Sequence, residues 1–172
     1  MTERSIDPAN RIAYLVRMVS GTLMQQIEQA LRPVGLTQVQ LGVLVHLDLV
    51  EGDAGLSTAE LSRLGGVTPQ SMASALANLQ RRELVLRGDR PARGRAIELR
   101  ITDDGRELAR LAQTLTAGVD ARALALIEPA DRDRLRELLQ LVAMGSGAPI
   151  PRVRGIEVSS SAANETKVDD DE

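Results

Sequence analysis

Residues 84–102 read LVLRGDRPARGRAIELRIT, and this stretch decides the fold. Leu84 and Leu86 alternate before an arginine-rich tip, and Ile97, Leu99 and Ile101 alternate after it. A period of two predicts half-buried strands, and the glycines and proline between them predict a turn. The stretch therefore predicts a β-hairpin whose end presents guanidinium groups to a polyanion. The arginines of the tip are Arg87, Arg90, Arg93 and Arg95.

Two short helices are predicted before this hairpin. Ser57 and Glu60 have the spacing of a capping box, which opens the first helix. After a pair of glycines, Thr68 and Pro69 are the predicted N-cap and first residue of the second helix, which extends over about residues 68–82. A short helix, a glycine turn, a second helix and a basic hairpin together predict a winged helix-turn-helix.

Longer helices are predicted on both sides of this module. Asp7 and Pro8 have the pattern of an N-cap and first helical residue, and apolar residues then repeat at three- and four-residue spacing as far as Leu31. Thr37 and Gln40 form a second capping box. After the hairpin come a helix capped by Thr102, with a predicted apolar stripe, and a last helix starting at Glu128 and Pro129. The predicted stripe consists of Leu108, Leu111, Leu115 and Val119.

The charge of the chain is distributed unevenly. The formal net charge of the 172 residues is −3, but residues 157–172 contain six acidic residues and one lysine. Residues 81–100 contain seven arginines and three acidic residues. A local basic patch matters more for binding a phosphate backbone than the charge of the whole chain. We therefore expect double-stranded DNA to bind near the hairpin, although biased codon usage also produces an arginine-rich surface.

The composition excludes several other classes of protein. The chain has no cysteine and a single histidine, so disulfides, thiolate metal ligands and a nucleophile–base pair are not expected. We predict no enzymatic activity, no cofactor and no metal site. No apolar run approaches the length of a membrane span, and the N-terminus lacks the apolar core of a signal peptide. A cytoplasmic location is expected.

The second helix of the module has a face suited to contacts with base edges. Met72, Leu76 and Leu79 form its predicted buried stripe. The opposite face carries short side chains that form hydrogen bonds, and glutamine or asparagine makes bidentate contacts to adenine. An ordinary amphipathic helix with a neutral polar face is the alternative. The residues of the polar face are Gln70, Ser71, Ser74 and Asn78.

Three segments resemble the multiple antibiotic resistance regulator (MarR) family. They are GLTQVQLGVLVHL (35–47), STAELSRLGGVTPQSMASALANLQRREL (57–84) and IELRITDDGREL (97–108), and the resemblance extends over about residues 8–144. It implies a mainly α-helical fold with a small β-hairpin wing and a helical dimerisation region. It also implies a homodimeric repressor or activator of a pseudo-palindromic operator, with release by a small anionic or phenolic ligand.

The resemblance also implies a domain organisation and a set of contacts. The segments are an N-terminal dimerisation helix (1–36), the DNA-binding domain (37–102) with its wing at about 84–101, and C-terminal dimerisation helices (103–144). Residues 145–172 lie beyond the resemblance; they are rich in Gly, Ser and Pro, lack periodicity and end in acidic residues, which predicts a disordered acidic tail. The expected DNA contacts are Ser57, Arg63, Thr68, Gln70, Ser71, Ser74, Asn78, Arg90, Arg93 and Arg95. Arg95 is at the position of the family's wing arginine.

A ligand site is expected between the dimerisation helices and the DNA-binding domain. Tyr14 and Arg17 on the first helix and His46 on the second are the candidates for holding an anionic aromatic ligand. The alternative is that Tyr14 packs in the dimer and that His46 is a satisfied helix residue. Since the chain has no Trp or Phe, an aromatic-lined pocket cannot form.

Two positions depart from the family's pattern. Arg93 replaces the aspartate that usually braces the wing arginine, which makes this wing more positive. Glu83 replaces the glycine that usually follows the recognition helix, and glutamate adopts a left-handed conformation less readily than glycine. An altered exit from the helix is expected there. A different class of function also stays open, a winged-helix protein-interaction module whose basic wing is masked by the acidic tail.

Overall fold

The structure is a computed structural model that describes residues 11–50, 55–88 and 98–147. In these ranges the chain forms helices with one two-stranded antiparallel sheet, which confirms the predicted fold class. A short 3-10 turn, Arg32–Val34, follows the first helix. The other elements are α1 (Ile12–Leu31), α2 (Gln38–Asp48), α3 (Thr58–Gly65), α4 (Pro69–Arg81), β1 (Val85–Arg87), β2 (Leu99–Ile101), α5 (Asp103–Ala123) and α6 (Pro129–Gly145).

Most of the helix starts are where the sequence predicts them. The Thr37 hydroxyl accepts from the Gln40 N–H at 3.3 Å, and the Gln40 side chain accepts from the Thr37 N–H at 2.9 Å. Thr68 and Thr102 each accept one N–H of the first turn that follows them. The predicted cap at Asp7 lies outside the described residues; within them α1 begins at Ile12, and Arg11 before it is extended.

Mostly leucine and valine side chains of α2, α3, α4 and the two strands form the core. Leu44 of α2, Leu61 of α3 and Leu79 of α4 are almost fully buried, together with Leu31 at the end of α1. Burying each such side chain contributes roughly 2 kcal/mol to stability. The core therefore joins the end of α1 to the helix-turn-helix and to the hairpin.

The hairpin buries one face, but its first strand differs from the prediction. Val85 pairs with Ile101 and both are buried, whereas Leu86 is 55% exposed. The predicted alternation of Leu84 and Leu86 toward the core is therefore wrong at Leu86. Leu84 is buried because it belongs to the helix exit, and the strand begins only after it. Leu56 adds a single bridge on the outer edge of the second strand.

Helix α5 packs through small residues. Its buried positions are Gly105, Ala109, Ala112 and Val119. The helix packs mainly on α1 and α2, and Gly105 lies against Leu84 and Ile101. Leu111 is 50% exposed, so the predicted stripe of large apolar residues is only partly correct. Small side chains allow the helix backbones to approach closely, and this packing fixes the face of α5 that the sequence alone does not distinguish.

The two ends of the described chain leave apolar side chains exposed. Ile12, Leu15 and Val19 of α1 are exposed, although they belong to a regular apolar stripe. Helix α6 has no buried residue, and Leu139 and Val142 are about half exposed. None of the described helices is long and apolar enough to cross a membrane.

The exit from α4 keeps a regular geometry with glutamate in place of glycine. Glu83 has φ +58°, and it is the only non-glycine residue with positive φ in the described ranges. The Glu83 N–H donates to the Gln80 carbonyl at 2.9 Å, and the Leu84 N–H donates to the Leu79 carbonyl at 3.0 Å. These are the two bonds of a Schellman motif, so the predicted alteration of the exit is wrong. The helix exit is regular because Glu83 adopts the left-handed conformation, which is strained for a residue with a Cβ.

Replacing Glu83 by glycine is expected to raise the free energy of unfolding by about 1 kcal/mol. The left-handed conformation is unfavourable by about 1–2 kcal/mol for a residue with a Cβ, and glycine removes this cost. Part of the gain is offset because glycine loses more entropy on folding. Urea denaturation at fixed protein concentration measures this change. Gly66→Ala is the reciprocal control, since Gly66 has φ +61° and open space around a Cβ. It is expected to lose a similar amount. A less stable Glu83→Gly variant would contradict the strain.

Candidate functional site

Helix α4 presents a polar face to solvent over its whole length. Met72, Leu76 and Leu79 are buried, as predicted. Gln70 and Ser74 are exposed on the opposite side, one helical turn apart. The exposed alanines beside them, Ala73 and Ala77, keep the helix surface narrow, so that a groove of about 12 Å can admit it. The exposed face of α4 is thus available to a polar partner.

The first turn of α4 is held by its own side chains. The Thr68 hydroxyl accepts from the Ser71 N–H at 3.2 Å and donates to the Ser71 hydroxyl at 3.0 Å. Ser71 therefore has one contact within the helix start, and its own hydroxyl hydrogen remains available for a contact outside. Both residues are exposed.

Other predicted contacts lie on α3 and near the end of α4. Arg63 is exposed near the end of α3, and Asn78 is half-buried toward the end of α4. Ser57 is engaged in its capping box, because its hydroxyl donates to the Glu60 carboxylate at 2.6 Å. Hydrogen bonds from the Ser57 side chain and backbone hold the pKa of Glu60 below its ordinary value, with a smaller contribution from Arg63. Ser57 thus contributes primarily a helix cap.

The wing begins and ends in the described part of the chain, but its tip does not. Arg87 of β1 is exposed and pairs across the sheet with Leu99. The predicted contacts Arg90, Arg93 and Arg95 lie outside the described residues. Strand β1 follows the exit of α4 and contacts that helix, so the wing starts beside the end of α4.

A cavity of about 520 Å³ lies between α2 and the helices around it. Its walls come from α1, α2, the α3–α4 region and α5. His46 lines this cavity, but Tyr14 and Arg17 do not, so the structure does not bring the three predicted ligand residues together in one protomer. The Arg17 guanidinium instead lies 5.3 Å from the centre of the Tyr14 ring.

His46 is only half satisfied. Its Nδ1 is 2.6 Å from the Gly42 carbonyl oxygen, while its Nε2 is buried without a hydrogen-bond partner among the described groups. The interpretation of His46 as a satisfied helix residue therefore holds at Nδ1 and not at Nε2.

Comparison with known proteins identifies the family of this arrangement. The sequence profile of the MarR family matches residues 34–96, which include α2, α3, α4 and β1. The HTH-type transcriptional repressor Rv2887 of Mycobacterium tuberculosis is 37% identical over 131 residues, which are 76% of this chain and 92% of the relative. The chain belongs to the MarR family. Its fold and helix-turn-helix are those of a MarR-family transcriptional regulator.

Solved structures of MarR-family proteins agree with this assignment. Rv2887 in complex with DNA has a TM-score of 0.63 and 30% identity, covering 77% of this chain and 97% of that one. Rv2887 in complex with salicylic acid has a TM-score of 0.64 and 32% identity, covering 77% and 96%. A MarR-family regulator from Rhodococcus sp. RHA1 has a TM-score of 0.73 at 24% identity, with 81% and 98% covered, and shows the fold alone.

The structure adds Arg81 to the exposed face of α4 in this MarR-family protein. Arg81 is exposed and lies eleven residues after Gln70, which at 100° per residue places both on the same side of the helix. It is also seven residues after Ser74. The helical spacing is the sequence signal that could have identified Arg81. This residue adds a positive charge at the C-terminal end of the polar face.

Arg82 fixes the end of α4 to the turn that follows α1. Its guanidinium donates to the Gly35 carbonyl at 2.7 Å and to the Val34 carbonyl at 3.2 Å. The partners are more than 45 residues away in sequence, so no local pattern predicts this contact. It links the helix that carries the candidate contacts to the helix with the exposed apolar stripe.

Proposed function

We propose that this protein is a homodimeric transcriptional repressor that places α4 in the major groove of a pseudo-palindromic DNA site. The observation that carries the proposal is the exposed polar face of α4 beside a two-stranded wing. Gln70, Ser71, Ser74 and Asn78 contact base edges, and Arg63 and Arg81 contact the DNA backbone. The complex of Rv2887 with DNA supports this role.

The wing supplies the second set of DNA contacts. Arg95, together with Arg90 and Arg93, binds phosphates or enters the minor groove. The sequence supports this assignment, since these arginines form the basic tip between β1 and β2. Thr68 and Ser57 act mainly by fixing the helix starts, and each leaves its helix N-terminus directed toward the DNA.

A homodimer accounts for the exposed apolar side chains of α1 and α6. A helix without a buried residue gains little from tertiary packing, and most helical stability in proteins comes from such packing. We infer that α6 and the exposed stripe of α1 pack against the same elements of a second copy. Two α4 helices then lie about one turn of DNA apart, roughly 34 Å.

A small molecule in the cavity beside α2 provides release from DNA. The cavity touches both the helices of the proposed dimer and the DNA-binding elements, so an occupant changes their relative position. The salicylic acid complex of Rv2887 supports such an effector. We also propose that the protein acts in the cytoplasm and performs no catalysis. The composition supports a binding role, because the chain has no cysteine and only one histidine.

Two variants distinguish base contacts from backbone contacts. Gln70→Ala is expected to lose about tenfold in affinity for a selected DNA site and to keep its affinity for random DNA, because one bidentate base contact is worth roughly 1–3 kcal/mol. Arg95→Ala is expected to weaken binding to both DNAs and to lower the slope of log K against log salt by about 1. Gel shifts with DNA selected from a random pool and with the region upstream of the gene measure both effects.

The outcomes separate the assignments. A Gln70→Ala variant with unchanged preference would remove α4 from base recognition. An Arg95→Ala variant with wild-type affinity and salt slope would make the wing assignment wrong. Failure of the wild-type protein to select any DNA would favour the protein-interaction module.

A further inference from the structure

Two charged side chains bind the turn between α1 and α2 (32–37), and one of them comes from the end of α4. We propose that Arg82 and Glu28 are positioning residues, which fix the direction of α4 relative to α1 and thereby set the separation of the two half-sites that the dimer binds. The inference rests on the proposed function, because it concerns how a homodimer places one α4 in each half-site.

The first contact is a pair of hydrogen bonds from α4. The Arg82 guanidinium donates through Nη1 to the Gly35 carbonyl at 2.7 Å and through Nη2 to the Val34 carbonyl at 3.2 Å. A planar guanidinium that binds two acceptors has a defined orientation, which a single ammonium contact does not give. Arg82 directly follows the last residue of α4, so these bonds hold the C-terminal end of that helix.

The second contact comes from α1. The Glu28 carboxylate accepts from the Gln38 N–H at 2.9 Å, and Gln38 is the first residue of α2. This N–H has no acceptor within its own helix, and the helix dipole favours a carboxylate at a helix N-terminus. Glu28 therefore attaches the start of α2 to α1.

The turn is also held from its inner side. Leu31 before it and Leu36 within it are almost fully buried in the core. Gly35 has φ +62°, and its N–H donates to the Arg32 carbonyl at 3.1 Å. The core and the two charged side chains therefore attach α1, α2 and the end of α4 to one turn of defined geometry.

A small rotation at the end of α4 produces a large displacement at its start. The 13 residues of α4 span about 20 Å at 1.5 Å per residue. A rotation of about 10° around the Arg82 end moves the first turn, which carries Gln70 and Ser71, by roughly 3.4 Å, the rise of one base pair. In a two-fold dimer both helices move, so the separation of the half-sites changes by up to about twice this distance.

A direct contact with a DNA phosphate is the other role open to Arg82, because its side chain is exposed. The two roles differ in the salt dependence of DNA binding. A phosphate contact contributes about one unit to the slope of log K against log salt, whereas loss of a positioning residue leaves this slope close to that of the wild type. The two carbonyl partners favour the positioning role, since they engage both terminal nitrogens of the guanidinium.

A series of half-site separations tests the positioning role. The DNA is the inverted repeat that the full-length wild-type protein selects from a random pool, with its half-sites at the selected separation or moved by one base pair in either direction. Gel shifts of the wild type are expected to show at least about tenfold weaker binding to both altered DNAs, since one mismatched base pair alone costs about that much. For Arg82→Ala we expect a difference of roughly threefold or less, because a helix with several accessible directions fits more than one separation.

Four further variants serve as comparisons. Arg82→Lys retains a cationic donor and is expected to restore part of the spacing preference. Glu28→Ala is expected to broaden this preference without weakening binding to random DNA, because it removes a negative charge, whereas Glu28→Gln retains an acceptor oxygen and the wild-type preference. Arg81→Ala is expected to weaken binding to all three DNAs alike and to lower the salt slope by about 1. Sedimentation equilibrium and circular dichroism verify that each variant is a folded dimer.

Each result decides the inference. An Arg82→Ala variant with the wild-type spacing preference overturns it, and a lower salt slope in that variant assigns Arg82 to a phosphate contact instead. If Arg82→Ala does not form a folded dimer, the Glu28 variants decide, and a wild-type preference in Glu28→Ala overturns the inference. A wild-type protein that selects no inverted repeat contradicts the proposed function itself. Unchanged variants beside a wild type that does select one overturn the positioning role alone.

Discussion

Replacing Gly105 by alanine is expected to lower the free energy of unfolding by about 3 kcal/mol, near the upper end of overpacking penalties. A Cβ at this position would lie 2.3 Å from the Leu84 carbonyl oxygen and 2.8 Å from Cγ1 of Ile101. The Leu84 carbonyl also accepts from the Thr102 N–H at 3.1 Å, so it cannot move away without breaking that bond. Helix α5 would have to separate from the exit of α4 and from the wing.

Gly118→Ala is the matched control for this change, because it lies in the same helix. A Cβ at Gly118 meets only the end of the Arg122 side chain, at 3.5 Å. Alanine in place of glycine in a helix interior is expected to stabilise by roughly 1 kcal/mol. Urea denaturation of both variants at one protein concentration should therefore shift the midpoints in opposite directions. If Gly105→Ala unfolds at the wild-type midpoint, the close packing of α5 on the helix exit is wrong.

The Leu139→Lys variant is expected to be monomeric and to have at least about 100-fold lower affinity for the DNA site. Leu139 is half exposed in the protomer on a helix without buried residues, and we propose that the partner covers it. A charge in that apolar contact would be desolvated without a counterion. Separated subunits also lose the gain from joining two half-sites, which is about 10²–10⁴-fold.

Glu137→Lys introduces the same side chain two residues earlier, on the opposite face of α6. Glu137 is exposed, and among the described residues it pairs only with Arg134, at 2.9 Å; such a surface pair contributes little to stability. This variant is expected to remain a dimer with near wild-type affinity for DNA. Sedimentation equilibrium and gel shifts measure the two properties. A dimeric Leu139→Lys variant would exclude this face of α6 from the dimer.

Local signals account for what the sequence predicts well. The capping box of Thr37 and Gln40 and the caps at Thr68 and Thr102 involve side chains three residues from their partners, so the sequence determines them without knowledge of the tertiary fold. The buried stripe of α4 is equally local, because a helical period fixes which residues share a face. These signals were sufficient for the fold class and for the exposed face of α4.

Long-range packing accounts for what the sequence does not predict. The buried face of α5 depends on how closely α1 and α2 approach, and this favoured Ala109 and Ala112 over Leu111. The residue of β1 that faces the core depends on where the strand begins after α4. Because β1 begins at Val85, Val85 is buried and Leu86 is exposed. Both outcomes are set by neighbours distant in sequence.

The candidate ligand residues show the same limit. Tyr14, Arg17 and His46 were grouped by chemical type and by the elements that carry them, but only His46 lines the cavity. Its unpaired Nε2 became visible only with the surrounding packing in place. Arg82 is a further case, since its acceptors in the turn after α1 are carbonyl groups, which every residue type provides.

The position of the single tyrosine, Tyr14, on α1 has a practical consequence. Tyr14 is the only tyrosine in a chain without tryptophan or phenylalanine, so all of the intrinsic ultraviolet fluorescence originates on α1. That helix carries the exposed stripe that we assign to subunit association. The emission intensity and anisotropy of one native chromophore therefore report the assembly of two chains during dilution, without any attached dye.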